Sequence, residues 1–233
     1  MTRVASTTFI FFILFSACNS TNNSQNISQP AQKLYEGNNI SIPVRIHLVK
    51  AQNTPYLNAQ MSQNEVMQTF DIVNLIWKQA GITFEVESIV NLQASNEDQK
   101  QYSAAKKRNS KLTRVQKMQV MKNICDISEQ SKDVLNLCVL GEMSNGIGGV
   151  FFGGLKPKVV WPIALQNGRK PLNPATLAHE FGHFIGLGHN KEKDIFLMRG
   201  SGNNMRRNKQ YHRILLTKRE VVRARNVATR LFH

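Results

Sequence analysis

Apolar positions along the chain follow two rhythms, one with a period of two and one with a period near 3.6. Ser41-Ile42-Pro43-Val44-Arg45-Ile46-His47-Leu48-Val49 alternates apolar and polar residues through its second half, which predicts a strand. Between Ser62 and Ala80 the residues Val66, Met67, Phe70, Ile72, Val73, Ile76 and Trp77 recur at helical spacing. Ser62 caps that helix, Glu65 three residues on completes a capping box, and Gly81 ends it. Ile82-Thr83-Phe84-Glu85-Val86-Glu87-Ser88-Ile89 alternates again and predicts a second strand. Strand, helix, strand in this order points to a right-handed crossover between parallel strands.

Residues 97–133 carry nine Lys and Arg against five acids. Their first half reads as a solvated loop, and Val115, Met118, Met121 and Ile124 mark a helix in the second. Val134-Leu135-Asn136-Leu137-Cys138-Val139-Leu140 is an apolar run of the kind found in buried central strands. Glycines 146, 148, 149, 153 and 154 surround Val150-Phe151-Phe152, which predicts a short irregular strand. Residues 158–164 read as another strand, with Pro162 ending it early. The glycines have neither of the spacings that cradle phosphate, so a nucleotide loop is excluded.

At 233 residues and 41% apolar, the chain has enough material for a real core in one or two domains. Disorder and collagen-like fibres are excluded, and no apolar run approaches the ~18 residues of a spanning helix. The N-terminus reads as a targeting segment: Met1-Thr2-Arg3 supplies positive charge, residues 9–15 a short apolar core, and Ser16-Ala17 small residues before Cys18. The Phe15-Ser16-Ala17-Cys18 end resembles the lipobox of bacterial lipoproteins. Lipidation at Cys18 would anchor the protein in the bacterial cell envelope; the alternative is an ordinary secretory signal. Residues 1–18 are thus expected to be a signal peptide, 19–39 an uncharged flexible tether, and 40–233 the folded domain. Cys125 and Cys138 remain, either as a disulfide or as two buried thiols.

The chemistry concentrates between residues 173 and 198. Asn173 is a good N-cap and Pro174 a good first residue for a helix running to Ile185. His179 and His183, four apart, share one face of it and can grip a single metal ion. Glu180 lies beside the first ligand, where a carboxylate can serve a metal-bound water without occupying the metal. Gly186 can adopt a positive φ to end the helix, and the turn through Leu187-Gly188 can return His189 as a third ligand. The five fixed positions of this pattern should coincide by accident about once in 10⁵ chains of this length. Three imidazoles leave a position open, as catalytic zinc sites do; a structural site normally fills all four with Cys and His.

His179-Glu180-Phe181-Gly182-His183-Phe184-Ile185-Gly186-Leu187-Gly188-His189 resembles the long zinc-binding motif of the metzincin metalloproteases. Ile195-Phe196-Leu197-Met198-Arg199-Gly200 resembles their Met-turn, with Met198 as the methionine beneath the zinc-bound imidazoles. The short spacing is most similar to the matrixin and pappalysin-like branches, and Ile42-Pro43-Val44, Gln79–Phe84 and a capped helix from Leu216 extend the likeness. The resemblance implies an α+β metzincin-like zincin: a twisted mixed sheet, an active-site helix and a small C-terminal helical subdomain, with upper and lower parts at 40–188 and 189–233. It also implies one catalytic Zn2+ and an endopeptidase in which zinc-bound water is activated by Glu180. Its protein or peptide substrate would lie along an edge strand, for which Gly149, Val150 and Phe151 are the candidate; a core hairpin is the other reading of that segment.

Residues 191–233 hold twelve Lys and Arg against three acids, part of a formal net charge of +15. No base-reading element accompanies that charge, so nucleic acid is not expected as a partner. A basic rim facing anionic lipid, cell-surface polymer or acidic substrate is expected instead. The competing functional class is an envelope-anchored binding protein with a non-catalytic zinc site.

Overall fold

Strand β1 (Ile40–Lys50) leads through helix α1 (Gln63–Trp77) into strand β2 (Ile82–Gln93), and the two strands pair in parallel, the pairing expected from the sequence. This computed structural model describes residues 35, 37–107, 109–126, 133–143, 148–153, 157–165, 174–200 and 210–232. Helix α1 starts where its capping box places it: the Glu65 N–H donates to Ser62 Oγ at 3.3 Å and the Ser62 N–H to Glu65 Oε2 at 2.8 Å. A short 3-10 turn prolongs it, and Gly81, at φ 59°, then turns the chain into β2.

Helices α2 (Asn96–Lys106) and α3 (Arg114–Ile124) follow. Helix α2 corrects the solvated loop expected there. Ser95 and Asp98 form a second capping box, and Tyr102 and Ala105 are the buried apolar anchors of an otherwise polar helix, too few to register as a period. Strands β3 (Leu135–Met143), β4 (Val150–Phe152) and β5 (Lys158–Leu165), helix α4 (Pro174–Phe184) and helix α5 (Lys218–Phe232) complete the order. The sheet runs β2-β1-β3-β5-β4, parallel except for β4, which pairs antiparallel with β5 at the edge.

Pro162 does not end β5, as the sequence led us to expect; the strand continues to Leu165. The β4 register stops at Val160, so Pro162 lies where β5 has no ladder partner in β4 to lose.

The sheet is covered on both faces. Ile42, Val44 and Ile46 of β1 and Leu137 and Val139 of β3 face a core shared with α1, α4 and α5; Val49, Cys138 and Leu140 face another shared with α2 and α3. Cys125, at the end of α3, forms a disulfide with Cys138 of β3, with Cα atoms 5.9 Å apart. This settles the pairing left open by the sequence. Among the described residues no helix is long and apolar enough to cross a membrane. Cys18, Asn173 and His233 lie outside the described residues.

Candidate active site

Helix α4 is fixed before it presents any chemistry. Its Phe181 ring lies 4.4 Å from that of Phe84 on β2, and Trp77 of α1 donates its indole N–H to the Ala178 carbonyl at 3.2 Å. With Leu177, Ala178 and Phe181 buried, the helix turns His179 and His183 toward an open cleft. Gly186, at φ 83°, ends this segment as expected, and a Cβ there would come within 3.0 Å of Val227 on α5.

The three histidines converge. His189 Nε2 lies 3.1 Å from both His179 Nε2 and His183 Nε2. His179 Nδ1 is 2.7 Å from the Leu197 carbonyl and His183 Nδ1 2.8 Å from the Leu187 carbonyl. Each carbonyl only accepts, so each Nδ1 carries the proton and each Nε2 lone pair points inward. Two such lone pairs do not bond one another; they suit a cation between them. The edge of a tetrahedron of nitrogens about 2.05 Å from zinc is about 3.3 Å, close to the spacing found. A set of imidazole nitrogens suits zinc and not the oxygen-seeking Mg or Ca ions. Among the described residues this is the one group of three or more ligating side chains.

Glu180 is 8% exposed and lines the same cleft, of about 1030 Å³. It packs on the Gly149 backbone so tightly that a Cβ at that glycine would lie 2.7 Å from Glu180 Cγ. Gly149, Val150 and Phe151 line the cleft; Val150 and Phe151 belong to β4, the edge strand of the sheet, and Gly149 directly precedes it. Phe151 meets Phe184 of α4 edge-on, ring centroids 6.2 Å apart. Met198 is fully buried against Gly182, where a Cβ would stand 2.4 Å from its sulfur. Gly182 thus admits the methionine between the turns that carry His179 and His183.

Several contributors had no signal of their own in the sequence. Gln79 is buried and bonds the carbonyls of Ile76 and Ile214 and the N–H of Leu216. Leu215 in turn pairs with Ile195 and Leu197, so the 3-10 turn after α1 supports the segment whose Leu197 carbonyl orients His179. Arg114 and Arg223 line the cleft from α3 and α5; nothing near them in sequence marks them. Of the remaining histidines, His47 is a buried strand residue bonded to Asn136 at 2.9 Å, and His212 lies in a short 3-10 turn.

No curated protein matches the chain by sequence. In fold it is similar to mature mirolysin of Tannerella forsythia in complex with a cleaved peptide, at TM-score 0.54 and 14% identity, covering 85% of this chain and 100% of that one. Promirolysin of the same organism matches at TM-score 0.54 and 13% identity, covering 86% and 84%. Mirolysin in complex with compound 9 matches at TM-score 0.51 and 14% identity, covering 84% and 96%. Residues 63–190, more than half of the chain, match the metallo-peptidase family M12B, Reprolysin-like. With a zinc-fitting histidine triad on a metzincin fold, the chain belongs to the Reprolysin-like M12B metallopeptidases.

Proposed function

We propose that this metallopeptidase is an exported endopeptidase in which Glu180 is the general base and acid. The observation that carries this reading is the position of Glu180: one residue from a metal ligand, lining the cleft and held against the Gly149 backbone. His179, His183 and His189 are the residues that would hold zinc. Bound there, zinc supplies a Lewis acid and lowers the pKa of water toward ~7. Glu180 accepts the proton of the attacking water and returns it to the leaving amine, a role worth about 10²–10⁴ in rate. Gly149, Val150 and Phe151 offer the outer edge of β4, where an extended peptide can add as a further strand through its backbone. Met198 packs tightly on Gly182, in the helix that carries His179 and His183, and would support the residues that hold zinc.

The N-terminal pattern through Cys18 supports export and lipid anchoring, with residues 19–39 as the tether and 40–233 as the catalytic domain. Substrates are then extracytoplasmic proteins or peptides.

The test is mass-spectrometric cleavage profiling of a diverse peptide pool by wild type, Glu180→Ala and a chelated control. Cuts should appear with wild type alone, while Glu180→Ala still binds one zinc per chain. A fully active Glu180→Ala would remove Glu180 from the mechanism, and a zinc-loaded wild type that cuts nothing would favour the binding-protein reading.

A further inference from the structure

The cleft walls are more basic than peptide hydrolysis requires. Arg114 and Arg223 both line the cleft, and its only acid among the described residues is Glu180, which the proposed mechanism already uses. The two arginines come from different layers. Arg114 begins α3, whose Met121 and Ile124 share the core against which Val150 and Phe152 of β4 pack. Arg223 stands on α5, whose Val221 and Ala224 belong to the core on the other face of the sheet. The chain therefore brings a guanidinium to the cleft from each side of β4. Neither is in an ion pair among the described residues, although Arg45 and Arg199 are.

The charge also continues beyond the cleft. Arg223 lines a second, adjoining groove on α5 with Lys218, Arg219 and Arg230, and among the described residues no acidic side chain lines it. A guanidinium is a permanent cation whose planar fork matches a carboxylate in two parallel hydrogen bonds. Cations lining a concave surface with no counter-charge focus a positive field on whatever enters.

We propose that Arg114 and Arg223 are specificity residues that select carboxylate-bearing peptides, the carboxylate coming from an acidic side chain near the scissile bond or from a free C-terminus. This rests on the peptidase reading of the site and adds its substrate class. An anionic membrane would use the α5 groove as well, but it has no reason to need Arg114 inside the cleft.

The test uses the full zinc-loaded chain and peptides matched in sequence, with Asp or Glu against Asn or Gln on either side of the cleaved bond, and with free against amidated C-termini. The acidic members should be cleaved with kcat/KM about tenfold above their amide partners at low salt, and the ratio should shrink as salt rises. Arg223→Gln or Arg114→Gln should bring the ratio toward one, and Arg223→Glu should invert it in favour of Lys-bearing peptides. Which pair shows the effect identifies the source of the carboxylate. The same peptides, fluorescently labelled, are titrated into zinc-loaded Glu180→Ala to read binding without turnover. Equal affinity for acid and amide partners there overturns the proposal whether or not wild type cuts. Selective binding without any cleavage by wild type upholds it and overturns the peptidase reading. Arginine variants that lose binding to anionic phosphatidylglycerol vesicles but keep the wild-type peptide ratio overturn it in favour of a lipid-facing surface.

Discussion

Asn190 donates its side-chain amide to Glu220 Oε1 at 2.6 Å, joining the residue after the third histidine of the triad to the first turn of α5. Its backbone N–H donates to the Met198 carbonyl at 2.9 Å, so one residue connects His189, the segment around Met198 and the C-terminal helix. Glu220 is doubly used, since its other oxygen accepts from the Thr217 N–H at 2.7 Å and caps α5. Asn190→Ala should therefore loosen His189 without removing a ligand. Zinc affinity should fall about tenfold, the lower range for losing an outer-shell partner, as read by competition with a chelator. Unchanged affinity would mean that the bond serves α5 alone.

Gly149→Ala probes the proposed role of Glu180 without touching that residue. The added methyl has only 2.7 Å to Glu180 Cγ, so the carboxylate must move. A shift of about 1 Å in a reacting group costs on the order of 10² in rate. The expected outcome is a kcat reduced about a hundredfold with one zinc still bound per chain. Loss of zinc as well would place the damage at the ligands.

Gly182→Ala forces the Met198 sulfur from a position 2.4 Å from the new carbon, within a fully buried site. Overpacking of this kind costs about 1–3 kcal/mol. Denaturant unfolding should show that loss, and Gly182→Ala with Met198→Ala should recover part of it. A double variant no better than the sum of the two would mean that the methyl strains something else.

Stability should weaken on mild acidification through His47. Burial, the leading cause, with Arg45 and Lys158 acting in the same direction, holds this imidazole below its ordinary 6.5, and the bond to Asn136 opposes them only in part. Below about pH 6.5 the unfolded chain then binds a proton that the folded chain refuses. The His47 contribution is complete above pH 6.5 and is lost as pH falls toward the folded value. Urea midpoints between pH 5 and 8 should show this slope, and His47→Gln should flatten it.

The disulfide closes a loop with a sequence separation of 13 residues and holds the end of α3 against the central strand. A loop of that size is worth about 3 kcal/mol in the chain-entropy account. Cys125→Ala with Cys138→Ala should lower unfolding free energy by about 2–4 kcal/mol while zinc still binds, because all three ligands lie elsewhere in the chain. A double variant as stable as wild type would show that α3 is held by packing alone.

Whatever follows from spacing within one element was legible in the residues alone. His179 and His183 had to share a helical face because the helix repeats every 3.6 residues. Gly186 and Gly81 marked the places where the chain turns, and Ser62 with Glu65 marked where α1 begins, because caps are bonds between near neighbours. The parallel pairing of β1 and β2 followed from the strand-helix-strand order. The rest depends on contacts between residues distant in sequence. Helix α2 exists because Tyr102 and Ala105 find a core, although its own pattern is polar. Pro162 is accepted inside β5 because β4 is too short to pair with it. Cys125 and Cys138 bond because a helix end meets the central strand. The Leu197 carbonyl fixes the His179 tautomer, Gly149 seats Glu180, and Arg114 and Arg223 enter one cleft from separate layers. None of these contacts has a local period or cap to announce it, since each forms only when two elements already folded come together.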